Sequence, residues 1–323
     1  MTSSKDKPIL RDFKSVMAFL EKKKPIEAAF ELAIDGLAQR LTVEADEESI
    51  TSAFLGGVIS NYPWCALLSS MDDDGLKKCS WAHYKKSGSG VDAEPQSGAD
   101  FALVMHRDNF VHVAVFQAKK GHRVNEKYAV DVHRKREKEG TSFIQIVALK
   151  EASEKLAKIA LGRDIEPADL GWVHYLCYYQ GKVECVQLSK LEDVVEDAKT
   201  NTQSYMDVFL EERAARPWIK VLMEGMSNGP VDGWLRMNLT VAEKNLPTLL
   251  PLMNVIIVEE GRGGRSLKLP SGEKVFDRSI NRRGIKQGFE KKFSKVEHPD
   301  SQGKEKSDKT QGKSTAPATR KNP

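Results

Sequence analysis

Apolar side chains recur every three or four positions along the first part of the chain, which is the spacing of amphipathic helices. The pattern predicts two helices within residues 14–40, the second beginning at Pro25, because proline is tolerated in a first helical turn. A third helix is predicted over about 46–61, with acidic residues in its first turn, where the helix dipole favours negative charge. Pro63 is expected to end this helix.

Further along, short apolar runs predict strands. The runs at 101–106 and 110–118 are separated by Arg107-Asp108-Asn109, which predicts a β-hairpin. The other predicted elements are, in chain order, a helix over about 142–161, strands at 172–179 and 182–187, charged helices near 191–199 and 205–215, and a short buried strand or helix end at 254–258.

This order of elements predicts an α/β core surrounded by additional helices. Residues 1–190 are expected to form the core together with the N-terminal helices. Residues 191–295 are expected to form an accessory region of helical or mixed structure, and the C-terminal region as a whole is expected to be mainly helical. Residues 296–323 contain almost no apolar side chain and are predicted to be a disordered basic tail, because they cannot offset the entropy of ordering.

The composition, with 40% hydrophobic residues in a chain of 323, is sufficient for a sizeable core. No apolar run reaches the roughly 18 residues of a membrane span, and the N-terminus lacks the apolar segment of a signal peptide. The four cysteines form no C-x-x-C pair, which argues against a zinc ribbon or a disulfide scaffold. These features predict a cytoplasmic protein without a membrane partner.

The net charge of +4 is unevenly distributed. From Gly261 onward, 17 Lys and Arg stand against 7 Asp and Glu, so the rest of the chain is mildly acidic. A basic segment on an acidic body suggests contact with a polyanion, because Lys and Arg that neutralise phosphates release counterions. For the stretch from about residue 297 to the end, a solubilising role is the preferred interpretation.

The candidate chemistry lies around the predicted hairpin. Asp100 opens its first strand, whereas Gln117 and Lys119 lie at the end of the second strand, two positions apart and therefore on one face. Because the start of one hairpin strand lies beside the end of the other, Asp100 should approach both residues. In the competing interpretation, Asp100 caps a turn and the second strand simply ends in solvent.

These residue types suit hydrolysis of a phosphodiester. A carboxylate is a preferred ligand of Mg²⁺, and such a metal lowers the pKa of a bound water. A lysine beside the attacking water orients it and stabilises negative charge in the transition state.

The pattern D-x16-Q-x-K, running from strand to strand after an acidic helix, resembles the PD-(D/E)XK nuclease superfamily in its Q-x-K variant. The resemblance implies a restriction-endonuclease-like core, with a mixed central sheet flanked by helices, and Mg²⁺ or Mn²⁺ as cofactor. Asp100 would bind the metal with the main-chain carbonyl of Ala118. Gln117 would help to place the metal, and Lys119 would be the catalytic lysine.

The upstream glutamate of the family is matched by Glu47, within a segment that resembles the E-D-x-L-T helix start. Glu47 lies nearest the apolar stripe of its helix, whereas Glu48 is rotated by about 100°. Gln145 matches a glutamine that many members carry after the hairpin. The chain departs from the family in having Gln117 in place of an acid, which removes a ligand charge, and in lacking proline before Asp100.

A basic segment after the hairpin is the candidate nucleic-acid-binding surface, with a solvated loop as the equally weighted alternative. Three aromatic residues before the hairpin, Trp64, Trp81 and Tyr84, are expected to pack in the core or a lid rather than stack on bases. The residues of the basic segment that could contact phosphates are Lys120, His122, Arg123, Arg134, Lys135 and Arg136.

The resemblance therefore implies a metal-dependent endonuclease that acts on nucleic acid, with DNA as the expected substrate, in defence against foreign DNA. A homodimer or a partner protein of a defence complex is compatible with this interpretation. The alternative is a catalytically inactive module on the same fold that binds nucleic acid or a protein partner.

Overall fold

The computed structural model describes ten stretches of the chain and three single residues. These are residues 13–40, 46–69, 78–85, 98–133, 135–138, 141–179, 182–201, 205–261, 265–269 and 273–281, with residues 203, 287 and 291. The predicted tail at 296–323 lies outside them, as do most of the polar stretch before the hairpin and residues 262–264 of the glycine- and arginine-rich sequence.

Helices are numbered here in chain order. They are α1 (Phe13–Glu21), α2 (Pro25–Arg40), α3 (Glu47–Leu68), α4 (Gln145–Leu161), α5 (Glu192–Thr200), α6 (Trp218–Gly225) and α7 (Leu239–Asn245).

The strands are likewise numbered along the chain. They are β1 (Lys78–Lys85), β2 (Phe101–Arg107), β3 (Phe110–Lys120), β4 (His122–Val124), β5 (Lys127–Asp131), β6 (Lys135–Lys138), β7 (Thr141–Ile144), β8 (Val173–Tyr179), β9 (Lys182–Gln187), β10 (Asp207–Phe209), β11 (Arg216–Pro217), β12 (Leu235–Asn238), β13 (Asn254–Gly261) and β14 (Glu273–Asn281).

Within the described residues, nine strands form one mixed sheet in the order β11-β9-β8-β3-β2-β13-β1-β14, and β12 pairs with β3 beside this path. The predicted hairpin is confirmed: β2 and β3 are antiparallel, with Phe101 opposite Phe116 and a turn at Asp108-Asn109. Strand β8 pairs with β3 in parallel, which requires a crossover connection, and α4 lies in that connection. The chain is thus an α/β protein with a mixed central sheet flanked by helices.

The C-terminal part corrects the sequence prediction. The described part of the chain from residue 191 onward is mixed rather than mainly helical, because β11, β12, β13 and β14 join the central sheet, and β13 lies between β2 and β1. The predicted helix at 205–215 is instead the short strand β10 followed by a 3-10 turn. Continuous apolar character in β13 suits a strand that is buried on both faces. The sheet therefore draws on both sides of the predicted boundary at residue 190.

Two layers of apolar side chains cover the sheet. On one face, α4, α5 and α7 pack against odd-numbered β3 residues such as Val113 and Val115. On the other face, α1, α2, α3 and α6 pack against Ala114 and Phe116. Trp81 and Tyr84 are buried in these layers, which confirms packing over base stacking for both; Trp64 on α3 is exposed.

Helix α3 extends further than its sequence suggests. Asp46 caps it by accepting a 2.6 Å hydrogen bond from the N–H of Ser49. Pro63 lies inside the helix, which continues to Leu68 because Cys65 and Ala66 in the following turn are buried. Among the described residues, none of the helices combines the length and the apolar character that crossing a membrane requires.

Gly98, just before β2, packs closely against the main chain of α4. Its φ is +62°, and a β-carbon there would lie 2.8 Å from the main-chain nitrogen of Leu149, too close for the two backbones to coexist. We predict that Gly98→Ala lowers the free energy of unfolding by about 2 kcal/mol or more. Gly56→Ala is the matched control, because no atom lies within 4 Å of a β-carbon at this helical position. It should raise stability by about 0.5 kcal/mol. Urea denaturation of both variants and wild type measures these two changes in the free energy of unfolding.

A buried ionic cluster lies at the opposite end of β2 and β13. The carboxylate of Glu259 accepts hydrogen bonds from Ser80 Oγ at 2.9 Å and from the N–H of Leu267, and lies 3.1 Å from His106 Nδ1. His106 Nε2 lies 2.9 Å from the carbonyl oxygen of Asp108. Both ring nitrogens of His106 therefore face oxygen atoms of the cluster. Burial raises the pKa of Glu259, but these hydrogen bonds outweigh burial and leave that pKa below its usual value.

A carboxyl group whose pKa is lowered by folding stabilises the protein above its unfolded pKa, and this contribution is lost as the pH falls through the folded pKa. We predict that Glu259→Gln lowers stability at pH 7 by about 2 kcal/mol, and that the difference from wild type shrinks as the pH falls below about 4.5. Urea midpoints at pH 7 and pH 4 measure it. Glu126→Gln, at a carboxylate with 87% of its side chain exposed, should have little effect at either pH. The account would be contradicted if the stability difference between Glu259→Gln and wild type were the same at pH 7 and pH 4.

Candidate active site

A cleft of about 380 Å³ opens beside the N-terminal end of β2 and the C-terminal end of β3, under the first turns of α3. It brings together residues that lie more than 200 positions apart in sequence. The polar residues that line it are Asp46, Glu47, Glu48, Thr51, Ser52, His83, Lys85, Asp100, Gln117, Lys119 and Asn254.

Asp100 is held by the main chain of the hairpin. Its N–H donates to the carbonyl oxygen of Phe116 at 3.0 Å, which continues the β2–β3 pairing by one residue. Its Oδ2 accepts hydrogen bonds from the N–H of Ala118 at 2.8 Å and from Gln117 Nε2 at 2.7 Å. The carboxylate is therefore oriented toward the end of β3, as the sequence predicted.

The amide of Gln117 connects two predicted metal ligands. Its Nε2 donates to Asp100 Oδ2 and also to the carbonyl oxygen of Ala118 at 3.1 Å. Its Oε1 is buried and has no hydrogen-bond partner among the described residues. A buried acceptor without a partner is costly in a protein interior, and it marks a group suited to a ligand.

These residues fit a divalent cation. Rotation of the Gln117 amide by 180° would place its oxygen, instead of its NH₂ group, beside Asp100 Oδ2 and the Ala118 carbonyl, giving three oxygen donors of the kind that Mg²⁺ and Mn²⁺ prefer. Among the residues that the structure describes, no three or more His, Cys, Asp and Glu side chains lie close enough together to hold a metal ion. The amide and main-chain oxygens would therefore be necessary members of the ligand set.

Glu47 also faces this end of the cleft, and its Oε1 accepts a 3.3 Å hydrogen bond from the N–H of Lys120. Thr51 supports it from one turn along α3, donating from Oγ1 to the Glu47 carbonyl at 2.8 Å. Because this uses the Thr51 proton, the Tyr178 hydroxyl donates to Thr51 Oγ1 across their 2.9 Å separation. Glu48 lines the same cleft, but the bond to the end of β3 distinguishes Glu47.

Lys119 completes the set of predicted residues at the cleft. It follows Gln117 by two positions on β3 and is only 9% exposed. A charge in such a partly desolvated position acts more strongly on its neighbours than one in bulk water. The structure thus brings Glu47, Asp100, Gln117 and Lys119 to one cavity.

Sequence reasoning missed the strand residues on the far side of the cleft. The side chain of Asn254 is hydrogen-bonded to His83, and its N–H donates to the carbonyl oxygen of Asp100 at 3.3 Å. Burial lowers the pKa of His83. No local signal could have found these residues, because β1 and β13 reach the site only through long-range strand pairing.

The basic segment after the hairpin is partly neutralised. His122 lies 3.0 Å from Asp207, and Arg123 pairs with Glu126, whereas Lys120 contributes its main chain to Glu47. Arg134 lies outside the described residues, as do the side chains of Lys135 and Arg136. Gln145 is buried at the start of α4 and does not line the cleft.

No protein-family model, curated protein or solved structure matches the chain. The functional interpretation therefore depends on the residues of the cleft itself.

The Gln117–Asp100 pair yields a test of cation binding. Gln117→Glu would place a second carboxylate beside Asp100, so we predict that it lowers stability in EDTA by about 1–3 kcal/mol and that Mg²⁺ restores most of the loss. Differential scanning fluorimetry with and without Mg²⁺ measures both effects.

Gln187→Glu is the matched control, because Gln187 Nε2 makes a similar 2.9 Å hydrogen bond to Asp232 away from the cleft. It should lose stability without regaining it in Mg²⁺. An equal response of the two variants to Mg²⁺ would show that the cleft holds no cation.

Proposed function

We propose that the protein is a metal-dependent endonuclease on a restriction-endonuclease-like core, and that it hydrolyses phosphodiester bonds of DNA. The observation that carries the proposal is the convergence of the Asp100 carboxylate, the Gln117 amide and the Ala118 main chain at one end of a cleft that Lys119 also lines. The same residues form the D-x16-Q-x-K pattern of the sequence.

In this proposal, Asp100, Glu47, Gln117 and the carbonyl of Ala118 hold Mg²⁺ or Mn²⁺. The cation, when bound, supplies Lewis acidity to the scissile phosphate and to a bound water. Lys119 directs its ammonium group at the non-bridging phosphate oxygens, where negative charge increases as water attacks phosphorus and the ester oxygen leaves. Its low exposure keeps bulk water from screening that interaction.

The hydrogen bonds around Asp100 and Glu47 hold the site ready for this reaction. Main-chain N–H groups of Ala118 and Lys120 fix the two carboxylates, so neither must be reoriented when substrate binds. Positioning of this kind lowers the entropic part of the activation barrier. A nucleic-acid substrate is supported by the basic surplus of residues 261–296, which hold 11 Lys and Arg against 3 Asp and Glu.

Plasmid cleavage tests the proposal. Wild-type protein with Mg²⁺ or Mn²⁺ should nick or linearise supercoiled DNA, and EDTA should abolish the reaction. Asp100→Asn and Lys119→Met should each lower the rate by at least about 100-fold, because each keeps the shape of the side chain and removes its charge. Thermal unfolding should confirm that both variants fold.

Lys220→Met on α6 is the control for loss of a positive charge, since Lys220 is exposed and does not line the cleft. It should cleave like wild type. Equal cleavage by all four proteins would place the activity elsewhere. Binding of DNA by wild type in a gel-shift assay, with no cleavage in either metal, would favour the inactive binding module instead.

A further inference from the structure

The cleft extends beyond the residues that the proposed reaction uses. Its floor crosses from β2 through β13 to β1, where Phe101 lies opposite Asn254 and Ile256 opposite His83. Phe101 and Ile256 belong to the apolar layer on the α3 side of the sheet, as does Trp81. Since side chains alternate along a strand, His83 and Lys85 share the face of Trp81, and the whole floor therefore faces α3.

The chemistry of the cleft changes along this floor. The β2–β3 end carries the polar groups of the candidate active site. The apolar lining comes from Phe101 and Ile256, which belong to one core cluster, and from Leu55 of α3, which packs against that cluster. At the β1 end, Lys85 supplies a positive charge. A polar site, an apolar stretch and a positive charge in succession match a nucleotide, whose sugar links two phosphates and carries the base.

The dimensions agree with this match. Strand β1 is two strands away from β2, which is roughly 10 Å across a sheet. This distance exceeds the span of a single phosphate group, and the flexible side chain of Lys85 can reach from β1 toward the phosphate of a neighbouring nucleotide. Lys85 is thus too far from the candidate metal ligands to act on the scissile phosphate itself.

The rim of the cleft opposite the floor limits where the phosphate of the neighbouring nucleotide can lie. Asp46, Glu47 and Glu48 place carboxylates at the start of α3, and the hydrogen bond from Ser49 lowers the pKa of Asp46. A phosphate that the cation does not hold is repelled from this rim. His83, whose ring is held by Asn254 and whose pKa is lowered by burial, adds no positive charge at neutral pH. Lys85 is therefore the residue that attracts a phosphate at the β1 end of the cleft.

We infer that the β1 end of the cleft is a subsite for the nucleotide next to the scissile phosphate, and that Lys85 binds the phosphate of this nucleotide. The inference rests on the proposed function and extends it, because it names a substrate-binding residue outside the D-x16-Q-x-K pattern. The substrate strand runs across β2, β13 and β1, below α3.

Neutral-phosphate interference tests the inference. A labelled duplex oligonucleotide carries a single methylphosphonate, in which an uncharged methyl group replaces one phosphate oxygen, and cleavage at every other bond is measured from the ladder of products. With wild type, cleavage of the bond next to the neutral linkage, on one side only, should fall on the order of tenfold, the loss expected for one phosphate contact.

Lys85→Ala should raise KM on unmodified DNA on the order of tenfold with little change in kcat, and the effect of the neighbouring methylphosphonate should disappear, because the group that senses this charge is gone. Lys85→Arg should retain the effect. Lys220→Ala, at an exposed lysine outside the cleft, should behave like wild type.

The outcomes separate the two proposals. If wild type cleaves, Lys119→Met does not, and Lys85→Ala keeps the full neighbour effect, the nuclease stands and the subsite is wrong. If wild type cleaves no substrate with either metal, the proposed function fails and the subsite fails with it.

Discussion

The N–H of Ala118 donates to the carboxylate of Asp100 across the open end of the β2–β3 hairpin, and the arrangement of the cleft depends on this contact. The contact holds the Asp100 carboxylate at the end of the β2–β3 ladder, where the last main-chain hydrogen bond joins the two strands. The Gln117 amide then binds the same carboxylate oxygen and the Ala118 carbonyl. Three oxygen-bearing groups are thereby held by main-chain geometry, which is stiffer than side-chain packing alone.

Burial of the sheet on both faces explains why the polar groups gather at this edge. Val113 and Val115 of β3 are covered by one helical layer and Ala114 by the other, so the middle of the strand admits only apolar side chains. At its C-terminal end, β3 reaches the cleft, which Gln117, Ala118 and Lys119 line although all three residues are buried. Polar side chains near the centre of such a sheet would lose their hydration without gaining partners. Polar side chains that could take part in a reaction are therefore found at the strand ends.

Local patterns predicted the elements that carry the central residues. The hairpin followed from two apolar runs around Arg107-Asp108-Asn109, and α3 from its apolar stripe and acidic first turn. Both depend on interactions within about 20 residues of chain, which periodicity and turn composition report directly. The prediction failed for residues 205–215, where charged residues at helical spacing form β10 and a 3-10 turn. There, pairing of β10 with β5 overrides local helix propensity.

Local patterns along the chain were sufficient to predict the α/β class, the hairpin and the approach of Asp100 to Gln117, because adjacent antiparallel strands leave few alternatives for their ends. The position of β13 between β2 and β1 could be seen only in the folded protein. That insertion brings Asn254, His83 and Lys85 to the cleft and extends its floor from β2 across β13 to β1. Pairing between segments some 150 residues apart is selected by the free energy of burying the complete sheet. This free energy depends on all the strands together and is not visible in any single segment.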